Sequence, residues 1–164
     1  MSLLTSSLKT PIGTLNIICD EHVLLGANFS SLQALSESLD SSYSDRTSKH
    51  VSRISIVSDL LENYFDGDLK SISAIKVNQS GGTFSQNAWK AMRKVGAGKV
   101  LSYADLAARA GSASAVRAAG SACAKNAIVL VVPCHRIVKT GGSLGNYAYG
   151  VEKKEWLLRH EGAL

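Results

Sequence analysis

Three reactive side chains stand next to one another at Cys134, His135 and Arg136, directly after Pro133. A thiol becomes a strong nucleophile only when it ionises, and a nearby imidazole lowers the free energy required for that ionisation. Burying a thiol, an imidazole and a guanidinium together is unfavourable unless the site uses them. The spacing therefore predicts a reactive site in which Cys134 is the nucleophile and His135 assists it.

The segment that leads into this site is the apolar run of residues 127–132. It is short, mostly β-branched and bounded by Pro133, which predicts a strand buried on both faces. Neighbouring side chains on a strand point to opposite faces, so Cys134 and His135 need a turn or a bridging water to interact. The proline and the end of the predicted strand favour a turn there.

Length and composition indicate a globular protein. The chain has 164 residues, of which 45% are hydrophobic and 19% charged, enough for one core or two small ones. No apolar run approaches the roughly 18–20 residues that span a bilayer, and the N-terminus lacks a signal-peptide pattern. The three cysteines are odd in number and have no Cys-x-x-Cys spacing. We therefore expect no membrane partner and a reducing intracellular compartment, for which a nucleus and a bacterial cytoplasm fit equally well.

The net charge of +5 is unevenly distributed along the chain. Residues 1–80 contain six Lys/Arg and nine Asp/Glu, a net charge of −3, whereas residues 81–164 contain twelve and four, a net charge of +8. A basic half of this kind indicates contact with a polyanion, most often nucleic acid. On charge alone, a solvated basic surface is an equally good interpretation.

Residues 1–80 are predicted to form an α/β scaffold domain without recognisable chemistry. Alternating apolar residues predict a three-stranded antiparallel meander, and leucine and isoleucine spacing predicts two helices. Cys19 and His22 lie close in sequence, but two residues do not make a zinc site, so we predict no metal. The predicted elements are strands over residues 2–9, 14–19 and 23–29, helices over 31–39 and 54–67, a polar loop over 40–50 and a short strand over 69–77.

Residues 81–164 are predicted to form a second, mostly helical domain. The boundary is placed at Gly81-Gly82, and Thr83 with Gln86 has the capping-box pattern that starts a helix. A glycine-punctuated loop over residues 140–150 and a last helix over 152–160, with Trp156 and Leu157 facing inward, complete this domain.

Two further short helices in this half match a helix-turn-helix. Ser102 is predicted to cap the first, Gly111 to end it, and Ser112 or Ser114 to open the second. The second helix carries small residues and one arginine, Arg117, instead of the long polar side chains that read base edges. An ordinary buried helix pair is the alternative, but an arginine among alanines is expected to face solvent or a ligand.

Several segments together resemble the O6-alkylguanine-DNA alkyltransferases. Besides Pro133–Arg136, they are Asn126, Gly145-Asn-Tyr147, Lys154–Leu158 and His160-Glu-Gly162, all at the family's spacing. The resemblance covers residues 84–162 strongly and residues 10–29 and 61–67 more loosely. It implies a ribonuclease H-like α/β domain over residues 1–80 and a winged-helix-like domain with a helix-turn-helix over residues 81–164.

The resemblance also implies a role for each matching residue. Cys134 would accept the alkyl group, His135 would act as its base through a water, and Glu161 would polarise the imidazole. Asn126 would brace the turn, and Tyr103 would donate its hydroxyl to guanine N3. The residues implied in substrate binding are Arg117, Ile137, Tyr147, Ala148, Tyr149 and Lys154. The residues implied in DNA binding are Ala115, Val116, Arg117, Ala118, Ser121, Lys125 and Tyr103.

The implied reaction is a single-turnover, irreversible repair of double-stranded DNA containing O6-alkylguanine or O4-alkylthymine. It needs no cofactor, and the base would be flipped through the minor groove with Arg117 filling the gap. The protein would act as a monomer, with cooperative binding on DNA left open. Two other classes stay open: a non-catalytic lesion-binding protein, against which the presence of Cys134 argues, and a Cys–His hydrolase, which would turn over repeatedly.

Three positions depart from the family pattern. Tyr149 replaces a frequent glycine beside the loop that covers the base, which predicts a narrow pocket and poor reaction with benzyl-sized groups. Ala148 replaces a common serine, but its implied contact uses the backbone. Lys125 replaces a frequent glycine and is placed to contact a phosphate.

Overall fold

The computed structural model describes residues 2–164, which divide into two compact units. The first unit contains residues 2–80 and the segment Ala127–Val131, and the second contains Gly81–Asn126 and Val132–Leu164. The first unit contains strands and helices, beginning with three successive strands, whereas the second is mostly helical. No helix in the described part of the chain is long and apolar enough to cross a membrane.

The first unit is built on a five-stranded sheet. Strands β1 (Leu3–Thr10), β2 (Gly13–Asp20) and β3 (Val23–Asn28) form the predicted antiparallel meander. Two short strands, β4 (Ser48–His50) and β5 (Lys76–Val77), add parallel edges, giving the order β4-β1-β2-β3-β5. The sheet therefore has two strands more than the predicted meander: β5 lies within residues 69–77, which were predicted as a short strand, and β4 was not predicted.

The composition of β4 explains why that strand was missed. All three residues of β4 are exposed and polar, so no apolar alternation marks a strand, and residues 40–50 were predicted as a loop. Backbone hydrogen bonds hold it, including Leu3 N to Thr47 O at 2.8 Å and Val51 N to Thr5 O at 2.8 Å. Strand β5 occupies only the last two residues of the predicted segment 69–77, and Ser71–Ala74 form a 3-10 turn instead.

Two helices of the first unit lie where helical spacing predicted them, over shorter ranges. Helix α1 spans Leu32–Glu37, and the Ser31 hydroxyl caps it by accepting from Ala34 N at 3.1 Å. Helix α2 spans Val57–Phe65. Single 3-10 turns lie at Ser41–Tyr43 and Ser71–Ala74. One core cluster joins Leu3, Ile18, Leu25 and Leu35 between α1 and the sheet.

The apolar run of residues 127–132 is not a strand. Only Ile128 pairs, through an isolated parallel bridge to Ala27, and Leu130 has a left-handed φ of 73°. That conformation reverses the chain, and Val131 N donates to Val129 O at 2.8 Å. Burial is as predicted, because the residues from Ile128 to Val132 are at most 2% exposed.

The second unit packs three helices together: α3 (Thr83–Arg93), α4 (Tyr103–Arg109) and α5 (Val116–Ala124). The indole of Trp89 on α3 donates to Ala122 O on α5 at 2.9 Å, which fixes those two helices against each other.

The predicted helix starts are partly corrected. Thr83 is the first residue of α3 and not its cap; Gly82 is the cap, in extended backbone and without a side-chain bond. Neither Ser112 nor Ser114 caps α5, because the chain turns again before that helix begins at Val116. Ser102 caps α4 as predicted, accepting from Asp105 N at 3.0 Å.

Two short strands position the reactive turn. Strand β6 (Leu101–Ser102) lies immediately before α4 and pairs in parallel with β7 (Ile137–Val138). Residues Cys134–Arg136 form a 3-10 turn immediately before β7. The pairing therefore places Tyr103, the first residue of α4, close to the Cys134 turn. The last helix, α6, spans Val151–His160; Leu157 is buried as predicted, but Trp156 is only partly buried and stacks on His160.

Candidate active site

Cys134 lies in the wall of a cavity of about 630 Å³ in the second unit. The side chain is in the first position of the 3-10 turn and is 9% exposed, with its backbone N donating to Val132 O at 2.8 Å. The residues that line the cavity are Tyr103, Val116, Arg117, Gly120, Ser121, Cys123, Ala124, Cys134, Lys139, Asn146, Tyr147 and Ala148. A turn, rather than a strand, carries the thiol and the imidazole.

A buried polar network lies next to this thiol. His135 Nε2 is 2.8 Å from Glu161 Oε2, and Arg136 holds both oxygens of the same carboxylate, through Nε and Nη2, at 2.9 Å each. Arg136 also donates through Nη1 to Val95 O. All three side chains are at most 6% exposed. Glu161, the C-cap residue of α6, thereby joins that helix to the reactive turn.

The ionisation of Glu161 determines which ring nitrogen of His135 carries the proton. Burial raises the pKa of Glu161, but the hydrogen bonds and charges of His135 and Arg136 outweigh it and hold that pKa at about 2. Burial lowers the pKa of His135 more than Glu161 raises it, so the imidazole is neutral near pH 7. An ionised carboxylate only accepts hydrogen bonds, so Nε2 of His135 carries the proton. The other ring nitrogen, Nδ1, then has a lone pair that can accept a proton. It is buried and forms no hydrogen bond within residues 2–164.

The Cys134 thiol experiences opposing influences. Burial raises its pKa, while a hydrogen bond with the Asn126 side chain and the charge of Lys154 lower it. Asn126 also donates through Nδ2 to Val132 O at 2.8 Å, which ties it to the backbone just before Cys134. The structure therefore brings Asn126 to the turn as predicted from the resemblance.

Lys154 is fully buried and contacts the glycine-rich loop over residues 140–150. Its ammonium donates to Ile137 O at 2.6 Å and to Asn146 O at 3.2 Å, and it lies 5.8 Å from the centre of the Tyr103 ring. It thus fastens the loop at Asn146 to strand β7. Burial lowers the pKa of Lys154, and the charges of Cys134 and Cys123 act in the opposite direction.

Tyr103 lines the cavity from the first turn of α4. Burial raises its pKa to about 12, so its hydroxyl remains a hydrogen-bond donor at neutral pH. Gly145 approaches it closely: with φ at +77°, a Cβ built on Gly145 would lie 3.1 Å from the Tyr103 hydroxyl.

The structure brings together many of the predicted substrate and DNA residues, but not all. Arg117, Val116, Ser121, Tyr147 and Ala148 line the cavity, and Arg117 faces solvent as predicted. The others lie outside the lining set: Ala115, Ala118 and Lys125 on or beside α5, the buried Ile137 and Lys154, and Tyr149.

Tyr149 is not among the residues that line the cavity, although burial raises its pKa and the charge of the nearby Cys134 thiol acts in the same direction. Its ring packs edge-on against Tyr147, with ring centroids 5.9 Å apart. Tyr147 is the residue that faces the cavity. The predicted poor reaction with benzyl-sized groups stays a prediction, and it now depends on Tyr149 supporting the Tyr147 ring.

Arg136, Cys123 and Lys139 are among the site residues to which sequence reasoning assigned no role. Arg136 was recognised only as part of a motif, although a buried guanidinium requires an acidic partner. Cys123 follows Gly120 by three residues and Val116 by seven, the spacing of one helix face, and that period was the available signal. For Lys139 the only available signal was the excess of basic residues in residues 81–164, which does not single out one lysine.

No group of three or more side chains suited to metal binding occurs within residues 2–164. Cys19 is fully buried in strand β2, whereas His22 is exposed in the following turn.

A buried cysteine in a turn, next to an imidazole–carboxylate–guanidinium network, is the type of arrangement found in proteins that use a cysteine nucleophile. Residues 83–163 match the family model described as 6-O-methylguanine DNA methyltransferase, DNA binding domain. Residues 3–79 match the model described as the ribonuclease-like domain of the same methyltransferase.

Two of the relatives match over nearly their whole length. A methylated-DNA–protein-cysteine methyltransferase from Shigella flexneri is 38% identical over 170 aligned positions, covering 100% of this chain and 98% of the relative. A protein of the same name from Methanosarcina acetivorans is 34% identical, with 94% and 96% covered. The chain belongs to the 6-O-methylguanine DNA methyltransferase family.

Solved structures show the same two-domain fold, an N-terminal α/β sheet domain and a helical C-terminal domain. The crystal structure of Mycobacterium tuberculosis O6-methylguanine methyltransferase is 28% identical, with a TM-score of 0.77 and 98% and 93% of the two chains covered. A crystal structure of Mycobacterium tuberculosis OGT in complex with DNA has a TM-score of 0.79 at 28% identity, with 96% and 92% covered.

Proposed function

We propose that this protein repairs double-stranded DNA by transferring the alkyl group of O6-alkylguanine to the sulfur of Cys134. Its relatives are named methylated-DNA–protein-cysteine methyltransferases, and one structural neighbour was solved with DNA. The observation that carries the proposal is the Cys134 thiol, which lies in a cavity wall beside a buried imidazole–carboxylate pair.

The reaction is one displacement at the alkyl carbon. The thiol proton passes through a water to Nδ1 of His135, the sulfur–carbon bond forms, and the carbon–O6 bond breaks with its electron pair going to guanine. Tyr103 donates its hydroxyl proton to guanine N3 as the carbon–O6 bond breaks, so guanine leaves neutral. The proton taken up by His135 then passes through solvent to the Tyr103 oxygen, which restores both groups. The product is a stable thioether, so each molecule acts once and no cofactor takes part.

Glu161, Arg136 and Asn126 act as positioning residues. Glu161 holds Nε2–H of His135, which keeps Nδ1 available as the base. Arg136 keeps that carboxylate ionised and oriented by a two-point contact. The Asn126 side chain and the charge of Lys154 favour the Cys134 thiolate once the proton leaves.

The lesion reaches the cavity by base flipping, because the O6 group is inaccessible within a duplex. Helix α5 presents small residues and Arg117 at the cavity mouth, and it approaches the minor groove without reading sequence. Arg117 occupies the gap left by the base, and Ala115, Val116, Ala118, Ser121 and Lys125 contact the flanking DNA. Tyr147 and the backbone at Ala148 hold the guanine, with Tyr149 behind them.

Finer features of the fold and substrate range are part of the same proposal. Residues 1–80 act as a scaffold of ribonuclease H-like fold, and residues 81–164 bind DNA and carry the transfer on a winged-helix-like fold with a helix-turn-helix formed by α4 and α5. O4-alkylthymine is a second substrate, and the protein acts as a monomer.

The test is mass spectrometry after incubation with a duplex containing O6-methylguanine. Trypsin separates residues 126–136, which contain Cys134, from residues 118–125, which contain Cys123. We expect one methyl group on the first peptide, none on the second, and a limit of one transfer per protein molecule. Binding without an adduct would instead indicate a lesion-binding protein, and repeated turnover would indicate a hydrolase.

A further inference from the structure

A second cysteine, Cys123, lines the same cavity as Cys134, and the proposed alkyl transfer does not use it. It lies in the last turn of α5, one residue before the end of that helix. The third cysteine, Cys19, is fully buried in the first unit. Two of the three thiols are therefore open to the same small reagents.

Three hydrogen bonds connect the two cysteines through Asn126 and Val132. Asn126 N donates to Cys123 O at 3.3 Å, and the Asn126 side chain donates to Val132 O at 2.8 Å. Cys134 N donates to the same Val132 carbonyl at 2.8 Å. The chain between the two cysteines is thus folded back so that both ends face one cavity.

The two thiols also interact electrostatically. Burial raises the pKa of Cys123 to about 12, and the negative charge of Cys134 contributes to that rise. Lys154 lowers the pKa of both thiols, and a hydrogen bond with the Asn126 side chain acts on Cys134 in the same direction, against burial, which raises the pKa of Cys134. The Asn126 contact is the reason for assigning Cys134 as the thiol that reacts first.

We infer that Cys123 and Cys134 form an oxidisable thiol pair, which a hydroperoxide converts to a disulfide. The link removes the alkyl acceptor until a thiol reductant restores it. The loss of repair activity rests on the proposed function, whereas the cross-link itself does not.

The chemistry balances with one hydroperoxide. The Cys134 thiolate attacks a peroxide oxygen, the O–O bond breaks, and the leaving hydroxide takes up the thiol proton as water, which leaves a sulfenic acid. The Cys123 thiolate then attacks that sulfur and displaces its hydroxyl as a second water. Two thiols and one hydrogen peroxide give one disulfide and two waters.

The experiment treats the full chain with hydrogen peroxide and omits the reductant. Tryptic peptides 118–125 and 126–136 should appear joined, in a protein whose intact mass is that of a monomer less two hydrogen atoms. The Cys19 peptide, residues 10–46, should stay reduced and serves as the internal control. Methyl transfer should fall in proportion to the cross-linked fraction and return after dithiothreitol.

Cys123→Ser is the matched control variant. Its methyl-transfer activity after peroxide is compared with that of the same variant without peroxide. Its Cys134 should proceed to sulfinic acid, which dithiothreitol does not reverse, so activity lost to peroxide should not return. Joined peptides confined to covalent dimers, or an oxygenated Cys134 beside a free Cys123 in the wild type, would overturn the inference. If no transfer occurs at all, the peptide masses still decide it.

Discussion

Glu161 holds the reactive turn in place through two partners, and its loss would leave both unsatisfied. Its buried carboxylate accepts hydrogen bonds from His135 and from Nε and Nη2 of Arg136. Removing one partner of a buried ion pair typically destabilises a protein by about 3–5 kcal/mol, because the remaining charge is uncompensated.

We expect Glu161→Gln to lower the free energy of unfolding at pH 7 by about 3 kcal/mol. The folded-state pKa of Glu161 is about 2, below its ordinary value of 4.5, so its stabilisation is present above pH 4.5. It is lost as the pH falls from 4.5 towards 2, and the difference between variant and wild type should shrink over that range. Urea unfolding of the full chain at several pH values measures it.

Glu155→Gln is the control for this change. Glu155 forms an exposed pair with Arg159 one helical turn away, which contributes only about 0.3–0.5 kcal/mol. An equal loss of stability in the two variants at pH 7 would contradict the assigned role of Glu161.

Arg117 should matter most when the target base is stacked in a duplex. We expect Arg117→Ala to slow transfer from duplex DNA roughly tenfold or more, since each ~1.4 kcal/mol lost in the transition state is a factor of ten. Transfer from the free base O6-methylguanine should change little, because no base has to be flipped. The ratio of the two rate constants is the measurement.

Arg159→Ala, an exposed arginine on α6, provides the comparison for Arg117. It should leave the ratio of duplex to free-base rates unchanged. An equal slowing of both substrates by Arg117→Ala would argue for a role in the cavity itself instead of in flipping.

For single residues, the sequence indicated which side chains belong to the site but not all of the contacts between them. The order of Cys134, His135 and Glu161 along the chain matches the family resemblance, and the structure joins His135 to Glu161. The part played by Arg136 could not be predicted, because its partner lies 25 residues away and only the docking of α6 brings it near.

Among the structural elements, the segment over residues 127–132 is one whose burial could be predicted from its sequence pattern but whose backbone conformation could not. Its β-branched, apolar composition correctly predicted burial, because burial follows from hydrophobicity. The same composition could not show that Leu130 adopts a left-handed conformation, which tertiary packing imposes against its local preference. Strand β4 is the opposite case, a polar, exposed segment that pairs with β1 through its backbone and through one side-chain hydrogen bond, between His50 and Thr5.

The loop after the reactive turn depends on Gly145. We expect Gly145→Ala to slow methyl transfer by about tenfold or more, a loss of ~1.4 kcal/mol or more in the transition state. The new Cβ would lie 3.1 Å from the Tyr103 hydroxyl and 3.2 Å from its ring, so the tyrosine or the loop has to shift. Single-turnover kinetics with the methylated duplex measures the change.

Gly142→Ala separates contact from backbone strain. Gly142 has a φ of +96°, comparable to the +77° of Gly145, but a Cβ there meets nothing within 4 Å. Both variants carry the strain of a left-handed non-glycine residue, and only Gly145→Ala disturbs Tyr103. If the two variants slowed transfer equally, the contact with Tyr103 would have no role.

For the whole molecule, the two halves of the chain carry opposite charge, −3 for residues 1–80 and +8 for residues 81–164. Binding to DNA releases condensed counterions, so the logarithm of affinity falls linearly with the logarithm of salt concentration. The basic half, which contains the cavity, is expected to dominate that dependence.

Lys125→Gln should weaken binding to duplexes of any sequence and reduce the salt slope by about 1, because one phosphate contact is lost. Lys125 is exposed and follows α5 directly. Lys49→Gln is the comparison, since Lys49 is an exposed lysine in strand β4 of the first unit, and it should leave the slope unchanged. Equal slopes in wild type and Lys125→Gln would remove this lysine from the DNA-contacting surface.

The long sequence interval between Cys134 and Glu161 has a consequence for protein synthesis. A ribosome makes the thiol and the imidazole before it makes the carboxylate that orients them, and before Lys154, whose charge favours the thiolate. A nascent chain that has exposed Cys134 but not yet formed α6 carries an ordinary, weakly nucleophilic cysteine. If Cys134 accepts the alkyl group as proposed, we expect it to become competent for transfer only late in translation, once α6 has packed against the turn and the cavity has formed.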